Sequence, residues 1–201
     1  MSISLGPHPR HAGLTIIELI MFIVVVSVGI AGILIVLNAT VKDSADPMIR
    51  KNMLSIAEAL LEEVALMPFT YCDPTDPLAS TAGSTVGCTA NYVEELGVLV
   101  SPAEAGQTRT SAANPFNNVN DYYVGGGLAL ASPVVDISGV YAAPAGYSAT
   151  IQIVAENLND IVSTSAGATM DALRIAVTVS RGGDSITLEG YRARHSPNYL
   201  P

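Results

Sequence analysis

The longest apolar run in the chain lies near its N-terminus. It extends from Leu14 to Leu37 and contains one charged residue, Glu18. As a helix, the uncharged stretch from Leu19 to Leu37 would be about 28 Å long at about 1.5 Å per residue, and a bilayer core is about 30 Å thick. The pattern therefore predicts that residues 14–37 form a membrane-spanning helix with one carboxylate near its start.

A second helical pattern occupies residues 38–68. Asp46-Pro47 is typical of an N-cap followed by proline at the first helical position, and Pro68 ends the pattern. We therefore predict one long helix, kinked or interrupted near Asp46-Pro47, whose second half carries an apolar stripe with its methionines as core fillers. The stripe consists of Ile49, Met53, Ile56, Leu60, Val64 and Met67.

Residues 69–120 show little periodicity and contain turn-forming pairs such as Asp73-Pro74. We predict a loop-rich region with one short helix at Asn91 to Val100. Asp73 and Asp76 suggest a calcium loop, but the glycine and the distal glutamate of an EF-hand are missing. This pattern argues against a calcium loop of that kind.

The two cysteines of the chain, Cys72 and Cys88, lie in the same region. An oxidising periplasm permits a disulfide between them, and closing the loop contributes on the order of 3 kcal/mol. The alternative is two unrelated thiols. A zinc site would need further ligands, and His195 is the one histidine outside residues 1–13. We therefore predict the disulfide and no metal site.

Strands dominate residues 121–201. Gly182-Gly183 separates two runs of alternating polarity, which is the pattern of a β-hairpin with a two-residue turn. The predicted pairs are Val179 with Ile186, Val177 with Leu188, Thr178 with Thr187, and Arg174 with Tyr191.

Further strands precede this hairpin. Gly125-Gly126-Gly127 lacks the Lys-Ser or Lys-Thr that follows a phosphate-binding loop, so we interpret it as a turn. A helix followed by consecutive strands is an α+β order, which predicts an antiparallel sheet packed on the helix stripe. The additional strands are predicted at Tyr122–Val124, Leu128–Ala131, Val134–Tyr141 and Ala149–Ala155.

The net charge and the distribution of ionisable residues argue against two classes of function, nucleic-acid binding and enzymatic catalysis. The net charge of −9 at pH 7 becomes more negative if Arg10 is lost with an N-terminal leader, and such an acidic chain is a poor partner for nucleic acid. We interpret the adjacent pairs Glu62-Glu63 and Glu94-Glu95 as solvated faces, and His195 alone builds no catalytic set. We therefore expect no enzymatic activity, no catalytic residue and no cofactor.

Residues 1–13 are polar, contain Arg10 and end in Gly13, directly before the apolar run. A secretory signal peptide has its apolar core before the cleavage site, whereas a cut after Gly13 leaves the apolar helix on the protein. With Gly13, Leu14 and Glu18 in the motif positions, the sequence resembles the class III signal of type IV prepilins. The resemblance implies cleavage of the 1–13 leader by prepilin peptidase and N-methylation of Leu14. It also implies pairing of Glu18 with the new amino group of a neighbouring subunit.

Two features depart from the family pattern. The first residue after the cut is Leu14, where the family most often has Phe, and no proline lies midway along the helix. Gly29 and Gly32 are the breakers in that part of the sequence. The resemblance implies that this helix packs against equivalent helices of other pilins, with Gly29, Ala31 and Gly32 allowing close approach.

Residues 44–74 resemble MshD-type minor pilins of the mannose-sensitive haemagglutinin pilus, so that the resemblance covers residues 13–74 in all. It implies a pilin-like fold and a minor structural subunit. The implied partners are the inner membrane, prepilin peptidase, other pilins and the pilus assembly machinery. Positive charge before the span favours a cytoplasmic N-terminus and a single pass, with the C-terminal domain in the periplasm and later on the pilus at the cell surface.

Two other functions share these features. A minor pseudopilin of a type II secretion system has the same N-terminal pattern. A pilus-associated adhesin is a different class, in which the C-terminal domain would bind a glycan through aromatic side chains. The clustered candidates for that role are Tyr122, Tyr123, Tyr141 and Tyr147.

Overall fold

The fold is α+β, with a long N-terminal helix and a four-stranded antiparallel sheet, as the sequence predicted. A computed structural model describes residues 15–97 and 106–194, without the side chains of residues 38–46. The chain divides between Met48 and Ile49 into two compact units. The second unit contains the whole sheet and is described below by itself.

Helix α1 extends over Ile16–Leu66. Thr15 begins it: its carbonyl oxygen accepts the backbone N–H of Glu18 and of Leu19, each at 3.1 Å, and its hydroxyl oxygen accepts the N–H of Glu18 at 3.4 Å. Pro68 follows the last turn and disfavours helical backbone in the residue before it. The helix therefore ends close to the predicted position.

The single helix confirms the predicted long N-terminal helix, and because Pro47 lies inside it, the helix start or interruption predicted at Asp46-Pro47 is wrong. Proline removes one backbone donor from a helix interior and clashes with the preceding turn, which is why the sequence pattern favoured a break. The hydrogen-bonded turns on both sides continue past this single defect. The two predicted helical segments, residues 14–37 and 38–68, are thus parts of one helix over the described residues.

The sheet has the order β1-β2-β3-β4, and every neighbouring pair is antiparallel. The β3–β4 hairpin has the predicted register, with Val179 opposite Ile186 and Thr178 opposite Thr187. Gly182 and Gly183 form its turn with φ of +62° and +109°, a region that glycine enters at little steric cost. The strands are β1 (Leu128–Leu130), β2 (Ser148–Ala155), β3 (Ala172–Arg181) and β4 (Asp184–Ala193).

The core lies between the second half of α1 and one face of the sheet. Met53, Leu60 and Val64 are buried, which confirms the predicted stripe and the role of Met53 as a core filler. Ile56 and Met67 pack at the margin of the same cluster. The sheet contributes Ile151, Ile153, Leu173, Ile175, Val177 and Val179 to this core.

Two predicted strands are wrong. Of the predicted strand Tyr122–Val124, Tyr122 is the last residue of a 3₁₀ helix, Val119–Tyr122, and the other two residues are not in a strand. The side chains of Asn118 and Asp121 cap this helix reciprocally. Val134–Tyr141 is not a strand: it forms only an isolated bridge, between Val135 and Ala142. In both places, side chains form hydrogen bonds with nearby backbone groups, and these stabilise a turn instead of the backbone pairing between two strands.

The short helix predicted at Asn91 to Val100 is also wrong over its described part. Asn91 has a positive φ of +69°, and Val93 forms a bridge with Cys72. A left-handed residue and an extended one cannot continue a helix. The remainder of that prediction, residues 98–100, lies outside the described residues.

Candidate functional site

The segment Ile16–Leu37 is long and apolar enough to cross a membrane. All of its side chains are exposed, with none contributing to the core of the protein. Large apolar side chains that are exposed along an entire helix require an apolar environment or a packing partner. This segment is the first part of the candidate site.

Glu18 lies in the first turn of α1 and is exposed. Within the described residues, its carboxylate has no ion-pair or hydrogen-bond partner, and its backbone N–H is the group that bonds to Thr15. An acid in the first turn also interacts favourably with the helix dipole. The predicted cleavage site between Gly13 and Leu14 lies outside the described residues, and so does the amino group predicted to pair with Glu18.

A shallow apolar groove runs along one side of this segment. It has a volume of about 400 Å³ and is lined by residues that include Gly29, Gly32 and Val36. A Cβ built on either glycine would meet nothing within 4 Å, so the glycines leave the groove open. Ala31, the third small residue predicted to allow close packing, is not among the lining residues.

The cysteines predicted to pair do so. The Sγ atoms of Cys72 and Cys88 are 2.03 Å apart, within bonding distance, and Cys72 is buried. Asp76 closes the loop between them, because its carboxylate accepts hydrogen bonds from the backbone N–H and the hydroxyl of Thr89, each at 2.7 Å. Burial acts to raise the pKa of Asp76, but hydrogen bonds from Leu78 and Thr89 lower it on balance. Asp76 also lies near both sulfur atoms, but bonded sulfurs offer no thiolate, so this group is not a metal site.

Glu63 is not on a solvated face, contrary to the sequence interpretation. Arg109 binds it in a bidentate ion pair, with Nε to Oε1 and Nη2 to Oε2 each at 2.6 Å, and the two side chains are 5% and 13% exposed. The Tyr122 hydroxyl donates to Glu63 Oε1 at 2.7 Å. Burial, followed by this hydrogen bond to Glu63, raises the pKa of Tyr122. The cluster joins α1 to two loop segments far away in sequence.

Glu94 is also buried, contrary to the same interpretation. The side-chain amide of Asn120 donates to its carboxylate. Asp121 lies beside this pair in sequence and is 3% exposed. Its Oδ2 accepts the backbone N–H groups of Asn117 and Asn118 at 2.6 and 2.8 Å. Burial raises the pKa of Asp121 to about 6 against the effect of these two hydrogen bonds.

The tyrosines predicted as a glycan-binding cluster do not share an exposed surface. Tyr122 and Tyr147 are fully buried in the core. Tyr123 is half-buried, and Tyr141 is exposed. Two of the four rings therefore pack in the core and do not form one exposed aromatic surface with the others, which sequence spacing alone could not reveal.

His195, the histidine considered for catalysis, lies outside the described residues. Comparisons with protein-family models, with curated proteins and with solved structures gave no match to this chain. The function is therefore argued from the residues and the geometry above.

Proposed function

We propose that this protein is a minor, non-enzymatic subunit of a type IV pilus, of the MshD type found in mannose-sensitive haemagglutinin pili. In this proposal prepilin peptidase cleaves between Gly13 and Leu14, and Leu14 is then N-methylated. The protein waits in the bacterial inner membrane with its C-terminal domain in the periplasm. The assembly machinery then inserts it into the fibre through α1.

The observation that carries the proposal is Glu18, a lone acid at the start of the otherwise uncharged, membrane-length segment Ile16–Leu37. A carboxylate inside a bilayer is unfavourable by about 2.5 to 3.5 kcal/mol on insertion scales. Pairing with a cation removes much of that penalty, and breaking a buried pair is strongly destabilising. The new amino group of Leu14 on a neighbouring subunit supplies such a cation, so Glu18 sets the register between subunits.

The groove at Gly29 and Gly32 supports the same proposal. Helices in lipid associate through close packing at small residues, because lipid tails are as apolar as the side chains that they would replace. In a fibre outside the membrane, burial of the same apolar surface contributes through the hydrophobic effect. The proposed occupant is the equivalent helix of another pilin.

The second unit fits an exported domain. A disulfide between Cys72 and Cys88 persists in an oxidising compartment and is uncommon in a reducing one. The loops around it supply the surface through which the subunit would meet specific neighbours in the fibre.

Glu18→Gln in the full chain, expressed in cells that assemble the pilus, tests the proposal. We expect the variant to be processed and to accumulate in the membrane, but to be lost from sheared fibres, because the amide cannot pair with an amino group as a charge. Glu58→Gln is the matched control, since Glu58 is an exposed acid in the second half of α1. Equal recovery of Glu18→Gln and wild type in fibres would contradict the proposed pairing.

A second experiment separates the pilus from the alternative, a type II secretion pseudopilus. Deletion of the protein should change the number or composition of surface fibres and leave exoprotein release intact. Blocked exoprotein release with unchanged fibres would assign the protein to secretion. Mass spectrometry of the membrane form should show a mature chain that begins at methylated Leu14, and an intact residue 1–13 leader would overturn the processing step.

A further inference from the structure

Strand β4 forms one edge of the sheet, because β3 is its one neighbour among the described strands. Gly182 and Gly183 both have positive φ, as in a type I′ turn, in which the two flanking residues exchange hydrogen bonds. The backbone groups of Asp184 therefore face β3, and so do those of every second residue along β4. The N–H of Arg194 continues this alternation, since it donates to the carbonyl oxygen of Asp171 at 2.8 Å.

The remaining backbone groups of β4 point away from the sheet, and the described residues supply no backbone partner for them. An edge of this kind is a template for pairing with another extended segment, and proteins commonly protect it with proline, lysine or a bulge. β4 contains neither proline nor lysine and pairs one to one with β3 along its whole length. The outward groups are those of Ser185, Thr187, Glu189, Tyr191 and Ala193.

The side chains along this edge alternate between two faces of the sheet. Ile186 and Leu188 pack against the core cluster on the α1 side. Glu189 lies on the opposite face, where Arg174 neutralises it at 2.8 Å. A segment that paired here would therefore extend an apolar face on one side and a polar face on the other.

Two charged side chains on the α1 side of this edge have no partner of opposite charge in the described part of the chain. Asp184 begins β4 and is exposed. Arg192 lies near the end of β4, and its Nε is buried without a hydrogen-bond acceptor. Because a buried donor without an acceptor is unfavourable, this arrangement favours an occupant with an acidic group beside Arg192.

We propose that the open edge of β4 pairs with an extended, antiparallel segment of a neighbouring pilin, by β-strand addition. Main-chain hydrogen bonds would give the affinity, and alternate side chains would give the specificity. The segment carries an acidic residue opposite Arg192 and a basic residue opposite Asp184. Apolar residues lie between them, opposite Ile186 and Leu188. The identity of the partner rests on the proposed pilus function, whereas the pairing itself rests on the open edge and its two charges.

A second copy of this chain is not the proposed occupant, although β4 is complementary to itself. An antiparallel pair of β4 strands centred on Leu188 places Asp184 of each strand opposite Arg192 of the other. Such a pair has a two-fold axis normal to the sheet, which reverses the direction of α1 between the copies. Chains anchored through α1 in one membrane share one direction. The self-complementary pairing therefore suits a free β4 segment and not a second anchored subunit.

A synthetic peptide with the sequence of residues 184–193 is the probe for this edge. Fluorescence anisotropy of the labelled peptide, titrated with the full chain in detergent micelles, should show saturable binding of one peptide per chain. N-methylation of the peptide at Thr187 and Glu189, whose N–H groups would face β4, should weaken binding at least about tenfold. N-methylation at Leu188, whose N–H would face away, should change it less than about twofold. Absence of saturable binding, or equal loss with both methylation patterns, would overturn the proposal.

A charge reversal tests the predicted register. Asp184→Arg in the protein should weaken binding of the peptide about threefold or more, because it places two arginines opposite each other. Arg192→Asp in the peptide should restore the binding to this variant. Failure of the second change to restore binding would refute the charge pairing. A dimer of the full chain that the peptide dissociates would overturn the proposed partner in favour of self-association.

Thr187→Pro and Thr187→Ala form a matched pair of variants. Both remove the hydroxyl that lies 2.8 Å from the Thr178 hydroxyl, but only proline removes the outward N–H, and it leaves the hydrogen bonds to β3 in place. Thr187→Pro should lose peptide binding and recovery in sheared fibres, and Thr187→Ala should keep both.

The two measurements on this pair separate the edge from its partner. Equal recovery of the two variants in fibres would overturn the neighbouring pilin as the occupant. Absence of wild type from fibres would instead contradict the proposed function and leave the peptide result standing. If Thr187→Pro does not fold, the N-methylated peptides decide the question, because they leave the protein unchanged.

Discussion

The ion pair between Glu63 and Arg109 lies almost entirely out of solvent and joins α1 to a loop. Arg109→Ala should lower the free energy of unfolding by about 3–5 kcal/mol, because it leaves the Glu63 carboxylate buried without its cation. Urea denaturation of the full chain in detergent, followed by circular dichroism, measures the change.

Arg174→Ala is the matched control for this prediction. Arg174 also binds two carboxylates, but its side chain is 27% exposed and those of its partners, Glu156 and Glu189, are 42% and 48% exposed. Surface ion pairs contribute about 0–1 kcal/mol. Similar losses of stability in the two arginine variants would show that burial does not set the strength of these pairs.

The buried glutamates show where sequence reasoning at the residue scale failed. Adjacent residues of a helix or an extended chain point to different sides. When one of those sides packs against the core, an adjacent pair of acids can have at most one member fully in solvent. Glu63 lies three positions after Leu60 and one before Val64, at the border of the buried stripe. That position was visible in the sequence. Its partner, 46 residues away, was not.

Asp136 provides a prediction about pH. The Ser138 hydroxyl donates to its carboxylate, and this hydrogen bond is the largest cause of a lowered pKa. Desolvation acts in the opposite direction, and hydrogen bonds from the backbone N–H groups of Tyr141 and Val140 lower the pKa further. An acid whose pKa is lower in the folded state adds stability above its unfolded pKa. That contribution to stability is lost as the pH falls through the pKa that the group has in the folded state.

Ser138→Ala should therefore raise the pKa of Asp136 towards its ordinary value, and Ser138→Thr, which keeps a hydroxyl, should change it less. Carboxyl carbon shifts of labelled aspartate, followed from neutral to acidic pH, report the value directly. An unchanged pKa in Ser138→Ala would mean that the backbone donors alone hold the carboxylate in its charged form.

At the scale of elements, periodicity succeeded where one face of an element is buried. The β3–β4 hairpin was predicted pair by pair because alternation fixes the face, and Gly182-Gly183 fixes the register. The apolar stripe of α1 was also predicted correctly from its periodicity. The strand predicted at Val134–Tyr141 was wrong because the apolar residues around Asp136 have the composition of a strand. The hydrogen bonds from the backbone to the Asp136 carboxylate, which form a turn, cannot be inferred from the sequence pattern.

The stripe of α1 makes a direct prediction. Met53 is 1% exposed, and removing a buried methionine side chain leaves a cavity that neighbouring groups fill only partly. Met53→Ala should lower the free energy of unfolding by about 2–5 kcal/mol. Met48→Ala, at a position in the same helix that is 68% exposed, should change it by less than about 0.5 kcal/mol. A small effect of Met53→Ala in urea denaturation would contradict the position of the core.

At the scale of the whole molecule, the apolar run and the boundary between units do not coincide. The membrane-length segment ends at Leu37, whereas the compact units divide after Met48. Hydropathy marks where apolar composition ends, and it carries no information on where tertiary contacts begin. The sequence therefore predicted the apolar helical segment and the antiparallel sheet, but not the boundary between the units.

This division predicts that assembly and folding respond to different substitutions. Glu18 belongs to the first unit, and the core residues belong to the second. Glu18→Gln should therefore change the unfolding free energy of the sheet-containing unit by less than about 0.5 kcal/mol, as expected for an exposed position. Its recovery in sheared fibres should nevertheless fall, because the proposed charge pair acts between subunits. Met53→Ala should have the opposite effects. Its free energy of unfolding should be lower than that of wild type, but at temperatures where the variant remains folded, its recovery in sheared fibres per folded molecule should equal that of wild type. A Glu18→Gln protein that unfolds more readily than wild type would instead assign the fibre defect to misfolding, and the role of Glu18 in subunit register would be lost.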